Sequence, residues 1–322
     1  RFTTPQFGPR KKFAALGSRA GGGLQQGRSG TCPHVAYTVR MSTRGCCLIL
    51  FSVSLVAWGQ AKKRVFLITD AEGVAGVCRQ EQTDPNDAEM RQLLTGEINA
   101  AVEGFLEGGA DEVIVWDAHD GSRTLSALTI HPKAKLLMGA LGSSMSLERG
   151  YAALAFVGQH SMANIKAGIM AHSYSSLGIQ NMKMNGKPVG EIETRVALAG
   201  WYGVPTIFLS GDRAAVEELR AIVPDAEAAE VKEGLARYTC ISLSAESARS
   251  LIRERAGAAM GKLGRIRPYK VTGPVVFEIE HTTRNSLAID AALAPGAEVV
   301  DDRTIRYHGK DFFEAWVRYN TR

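Results

Sequence analysis

Val65-Phe66-Leu67-Ile68-Thr69-Asp70-Ala71-Glu72-Gly73 runs four apolar residues into a polar turn. Such a run reads as a buried strand whose carboxyl end opens into a loop. Asp70 and Glu72 stand at that end. If the backbone stays extended through Ala71, the period of two points both carboxylates to the same side. Two anions held that close repel, so one must be protonated or a cation must lie between them. Alone, an Asp-x-Glu is ordinarily a solvated turn, and the residues downstream of it decide between the two.

Past Gly73, Gly76 and Cys78, the stretch Asp84-Pro85-Asn86-Asp87 reads as a helix start with Asp84 as cap and Pro85 in the first helical position. Met90, Leu94, Ile98, Ala101, Val102 and Phe105 recur at helical spacing until Gly108-Gly109. Residues 112–116 form a second strand, completing a strand-helix-strand unit of the parallel type that ends in Asp117-Ala118-His119-Asp120-Gly121. A short strand is expected over 136–138 and a clearer one over 153–157, followed at once by Gly158-Gln159-His160. Gly168-Ile169-Met170-Ala171 leads to His172. Val189-Gly190-Glu191 precedes a helical pattern through Ile192, Arg195, Val196 and Ala199. Residues 205–209 are a strand, a helix begins near Arg213, and 244–263 is a long amphipathic helix capped by Ser244. Pro274 puts the strand over 271–279 at a sheet edge or starts it near Val275. A final strand over 304–307 and a helix around 312–319 end the chain. The expected fold is α/β: three layers, α/β/α, on a largely parallel or mixed sheet, with a smaller C-terminal α/β portion.

The net charge of +5 misleads. Residues 1–63 hold ten basic residues and no acid; the remaining 28 basic residues face all 33 acids, so the body is near −5 and is no nucleic-acid binder by bulk charge. Met41, Arg44, an apolar run over 46–58 and Gly59-Gln60-Ala61 resemble a signal peptide, giving an expected division into a leader at 41–61 and a body at 64–322. The apolar run is short of the roughly 20 residues a membrane helix needs. No stable span is expected after cleavage, and the expected location is periplasmic or secreted, with a cytoplasmic one as the alternative. Residues 1–40 are a disordered basic extension or non-native sequence upstream of Met41. Cys78 and Cys240 show no zinc-type spacing; they are expected as buried free thiols, with pairing open in an oxidising compartment.

In parallel α/β sheets, ligands sit outside the carboxyl ends of the strands. Those ends deliver Asp70 and Glu72, then His119, then His160, with His172 close behind; Glu191 joins at a helix start. Each histidine alone is most simply a satisfied structural residue. Separate elements bringing such residues to one sheet edge point to a carboxylate and imidazole centre without thiolates, which suits a catalytic metal site keeping an open position. Asp117 and Asp120, flanking His119, are candidates to orient ligands from behind. No G-x-G-x-x-G follows the first strand, which speaks against dinucleotide binding.

Taken together, Thr69-Asp70-Ala71-Glu72-Gly73, Asp117-Ala118-His119, Gly158-Gln159-His160, Met170-Ala171-His172-Ser173 and Gly190-Glu191 resemble the zinc-dependent D-aminopeptidases of the M55 peptidase family, over essentially the whole body. The resemblance implies two zinc ions per subunit: Asp70 bridging, Glu72 and His119 completing one site, His160 and Glu191 the other, and His172 as the catalytic histidine. It implies removal of N-terminal D-residues from short peptides by a zinc-activated water, with His172 stabilising the oxyanion or protonating the leaving amine. It also implies a homo-oligomer, a decameric ring. Two alternatives stay open: another metal-dependent amide or ester hydrolase on the same scaffold, and a non-catalytic exported peptide-binding protein.

Overall fold

Val65 through Ile68 leave almost no surface to water, and that burial on both faces makes β1 (Arg64–Thr69) an interior strand. The computed structural model describes residues 62–284 and 295–320; the extension and leader expected over residues 1–61 lie outside them. β1 pairs in parallel with β2 (Glu112–Trp116) on one side and β4 (Ala153–Gln159) on the other. Outward from these, β3 (Ala134–Leu137) joins β2, while β7 (Thr206–Asp212) and β8 (Glu227–Ala236) follow β4, all parallel. β9 (Thr239–Ser242) closes the far edge antiparallel to β8, giving the order β3-β2-β1-β4-β7-β8-β9. The chain thus moves outward from β1 to β3 and then returns to the other side of β1. That reversal opens a crevice between the carboxyl ends of β1 and β4, the place where open α/β sheets hold ligands.

Right-handed crossovers made in opposite directions put the helices of the two halves on opposite faces. α1 (Ala88–Glu107) packs against α4 (Ala245–Gly261) on one face, and α2 (Glu191–Trp201) and α3 (Arg213–Ile222) cover the other, the expected three layers. A second, antiparallel sheet has the order β11 (Ala297–Val299), β12 (Thr304–Gly309), β10 (Val275–His281), β5 (Ile179–Met184), β6 (Lys187–Pro188). α5 (Phe312–Asn320) seals it through Phe312, Trp316 and Tyr319 around Phe277. The smaller portion is therefore not purely C-terminal: it borrows β5 and β6 from the middle of the chain.

Two details depart from expectation, and the strand after Pro274 takes the second of its two expected forms. The cap of α1 is Asp87, whose carboxylate accepts from Met90 N at 2.7 Å, while Asp84-Pro85 makes the turn before it. β10 starts at Val275, past the proline, and lies inside its sheet with β12 and β5 on its flanks. Cys78 and Cys240 are joined as a disulfide with Cα atoms 6.0 Å apart, tying the segment after β1 to the edge strand β9.

Candidate metal centre

The backbone turns directly after Thr69 instead of staying extended through Ala71, yet the two carboxylates still converge. Asp70 Oδ1 lies 3.0 Å and Glu72 Oε2 3.4 Å from His119 Nδ1. The turn is built by the neighbouring strand end: Asp70 N donates to Val157 O at 2.9 Å and Gly73 N to Gly158 O at 2.7 Å. The approach is so close that a Cβ on Gly158, at φ +76°, would stand 2.0 Å from Asp70 O. Only glycine fits there. From β8 the buried Lys232 donates to the carbonyls of Glu72, Val74 and Val77, and Glu97 on α1 accepts from Ala75 N at 2.8 Å. Burial pushes the Lys232 ammonium down to about 8 and the Glu97 carboxyl up to about 7.

The loop after β2 brings in His119. Asp117 is buried and accepts from Thr124 N at 2.9 Å and Leu125 N at 3.0 Å, so it pins the loop and orients no ligand side chain directly. Asp120 has a positive φ of 39° and faces Arg123 at the surface. The loop carrying His172 is bent the same way, with Met170 at φ 49° and Tyr174 at φ 61°. The bend at Tyr174 accompanies an N–H directed at Glu191 Oε1, 3.0 Å away.

All three imidazoles are oriented by one rule. His119 Nε2 lies 2.8 Å from Thr83 O, His160 Nδ1 2.8 Å from Ser161 O and His172 Nδ1 2.8 Å from Met170 O. A carbonyl only accepts, so each of those ring nitrogens carries the proton. The opposite nitrogen of each ring faces the carboxylates, where it would offer its lone pair to a cation held between them, the arrangement found in metal-ligating histidines. Asp70 stands between two of them, with Oδ1 toward His119 and Oδ2 3.6 Å from His160 Nε2. His160 Nε2 is also 3.5 Å from Glu191 Oε1, and His172 Nε2 3.9 Å. The His160 and His172 rings stack with centroids 4.0 Å apart.

Two groups result, Asp70 with Glu72 and His119, and His160 with His172 and Glu191; within each, the donor atoms lie within 4.8 Å of one another. The structure therefore gathers all six residues singled out from sequence and sets His172 among the donors of the second group. Asp70, Glu72, His119, His160 and Glu191 are each at least nine-tenths buried. Burial alone would lower the histidines, but Asp70 and Glu72 push His119 up to about 12, and Glu191 with Asp70 pushes His160 up to about 10. Burial would raise Glu191, yet Arg195 first and then His160 hold it down at about 2; His119 holds Glu72 well below the usual carboxylate range. The carboxylates thus demand positive charge between them. Glu72 Oε2 and His160 Nε2 are buried without a hydrogen bond, placed where a cation would engage them. Nitrogen and oxygen donors on two sides of one shared carboxylate fit a pair of zinc-type cations.

A cavity of about 1030 Å³ opens onto the centre. Gln80, Glu81, Asp84, Asp120, Tyr174 and Leu177 are among its walls. Sequence reading missed Gln159, Arg195, Thr83, Tyr174 and Lys232. Arg195 did carry a signal: it stands four residues after Glu191 on a helix face otherwise apolar, where a charge needs a partner. Thr83 acts through its carbonyl and Tyr174 reaches Glu191 through its N–H, contacts that leave no mark on residue type.

A family model described as D-aminopeptidase, peptidase family M55, matches residues 63–320. The D-aminopeptidase of Bacillus subtilis (strain 168) is 28% identical over 260 residues, 79% of this chain and 94% of that relative. Among solved structures, the Zn-dependent D-aminopeptidase DppA from Bacillus subtilis, described as a self-compartmentalizing protease, matches with a TM-score of 0.72 at 26% identity, covering 80% of this chain and 95% of that one.

Proposed function

Since the chain belongs to the M55 D-aminopeptidase family, we propose that it is a zinc-dependent aminopeptidase that removes N-terminal D-residues from short peptides. The observation that carries this reading is Asp70, whose two oxygens face imidazoles of two separate donor groups. Asp70 would bridge two zinc ions per chain, with Glu72 and His119 on one and His160 and Glu191 on the other. Bound there, the ions would supply Lewis acidity at the scissile carbonyl and an activated water near neutral pH.

The chain's own residues supply the rest. His172, its Nδ1 proton committed to Met170 O, lines the cavity with Nε2 available to take up the proton released by the attacking water and, once it carries that proton, to hand it to the leaving amine or steady the oxyanion. Asp84, a wall acid outside the Glu81–Arg79 and Asp120–Arg123 ion pairs, favours a substrate entering with its α-ammonium first. The purified protein is expected to carry close to two zinc ions per chain by elemental analysis and to hydrolyse D-Ala-D-Ala in preference to L-Ala-L-Ala. Full turnover by a metal-free preparation would overturn the reading.

The signal-like pattern over 41–61 and the disulfide between Cys78 and Cys240 support an exported protein. Among the described residues no helix is long and apolar enough to cross a membrane. The self-compartmentalizing neighbour supports a closed homo-oligomer, a decameric ring by the family resemblance, which light scattering would test. A monomer at micromolar concentration would exclude it.

A further inference from the structure

Asp70 and Glu191 belong to opposite halves of the centre, yet one buried chain of polar contacts joins them. Arg195, a helical turn after Glu191, places Nη2 2.8 Å from Glu191 Oε2. Its Nη1 reaches Gln159 Oε1 at 3.5 Å, and Gln159 Nε2 donates to Asp70 Oδ2 at 3.1 Å. A guanidinium only donates, so Gln159 must offer its carbonyl to Arg195 and its NH2 to Asp70; the chain itself fixes the amide. On the other oxygen, Asp70 Oδ1 accepts from Ala71 N at 3.0 Å. The carboxylate plane is thereby held with one oxygen toward His119 and the other toward His160, the attitude a bridge requires.

The same guanidinium occupies Glu191 Oε2 and leaves Oε1 facing His160 and His172. It has little freedom to do otherwise. The Tyr174 ring lies 5.5 Å and the Trp116 ring 6.0 Å from its Cζ, and the side chain is 7% exposed. A buried ion pair stabilises a fold little compared with apolar packing of the same volume. What this pair does supply is orientation of two ligand carboxylates at once.

We propose that Arg195 and Gln159 are positioning residues that set Asp70 and Glu191 together, so that the two halves of the centre take up zinc as a coupled pair. The proposal rests on the two-zinc reading above and adds to it a dependence on two residues that bind no metal.

Zinc uptake by the metal-stripped full chain, followed by competition with a chromophoric chelator, tests it, with circular dichroism reporting the fold. Gln159→Leu is expected to weaken uptake about 10- to 100-fold. Arg195→Lys keeps a charge beside Glu191 without the fork that also reaches Gln159, and is expected to fall between wild type and Arg195→Met. Because both residues act through one chain, the double variant Gln159→Leu with Arg195→Lys loses less than the product of the two single losses. If Arg195→Met does not fold, the other variants decide. Wild-type affinity for both ions in Gln159→Leu and Arg195→Lys, or losses that multiply in full, would overturn the coupling and leave the metal reading standing. A wild-type chain that takes up no zinc would remove both.

Discussion

Reducing the Cys78–Cys240 bond is expected to lower the stability of the body by several kcal/mol. The bond closes a loop with a sequence separation of 162 residues. Chain-entropy reasoning assigns such a loop roughly 17 cal/mol/K, about 5 kcal/mol at 25 °C, and native disulfides commonly deliver about 2–5 kcal/mol. At roughly 2–4 °C per kcal/mol for a domain of this size, the melting temperature should fall by about 5–20 °C. The loss is expected to reach the centre as well. Cys78 stands in the segment that runs from Glu72 to Thr83; its own N–H donates to Gln82 Oε1 at 2.9 Å, and Gly76 N donates to Ser242 Oγ on β9 at 2.8 Å. Thr83 O in turn accepts from His119. Calorimetry with and without reductant, on wild type and on Cys78→Ser with Cys240→Ser, measures the effect, and thiol titration counts the bonds opened. A melting temperature unchanged after two new thiols have appeared would refute the reasoning.

The same geometry sets three further outcomes. His119→Ala and Glu191→Ala should each lower the zinc content, whereas His172→Ala should keep the metal and lose turnover; zinc loss in the last, read by elemental analysis, would move His172 among the ligands. Glu97 is an acid whose folded pKa is raised by burial from 4.5 to about 7, so its contribution is fully present below pH 4.5 and is lost as pH rises toward 7, about 3 kcal/mol in all. Glu97→Gln, whose amide oxygen can still accept from Ala75 N, should flatten that slope in urea unfolding of metal-free protein between pH 4.5 and 7, and a slope identical to wild type would count against it. Glu218, raised to about 7 by the same cause, keeps its own share. Lys232→Met removes the ammonium from the carbonyls of Glu72, Val74 and Val77, of which Val74 O keeps Val77 N as a donor, and should destabilise by about 3 kcal/mol; a change under about 1 kcal/mol in urea midpoint analysis would contradict the role given to the lysine.

The strands that carry the centre were legible because they are apolar runs ending in polar turns: β1, β2 and β4 each hand over their residues where the hydrophobic pattern stops. β8 was not, because its half-buried acids and its buried Lys232 break the pattern of a parallel strand. The convergence of Asp70 and Glu72 was anticipated on the wrong ground, an extended backbone, when the contact between Gly158 and the Asp70 carbonyl does the work. Pairing of Cys78 with Cys240 depended on a contact between β8–β9 and the loop after β1 that no local pattern encodes. Asp84 and Asp87 are equally good caps in sequence; the proline-led turn selected the second.

β5 and β6 form the span between His172 and Glu191, and β5 is held in its sheet by β10, with Lys183 opposite Glu278. A two-stranded hairpin alone is marginal in water. The span that joins His172 to Glu191 is therefore braced by strands contributed from the far end of the chain, so the geometry of the second donor group answers to residues more than eighty positions beyond it.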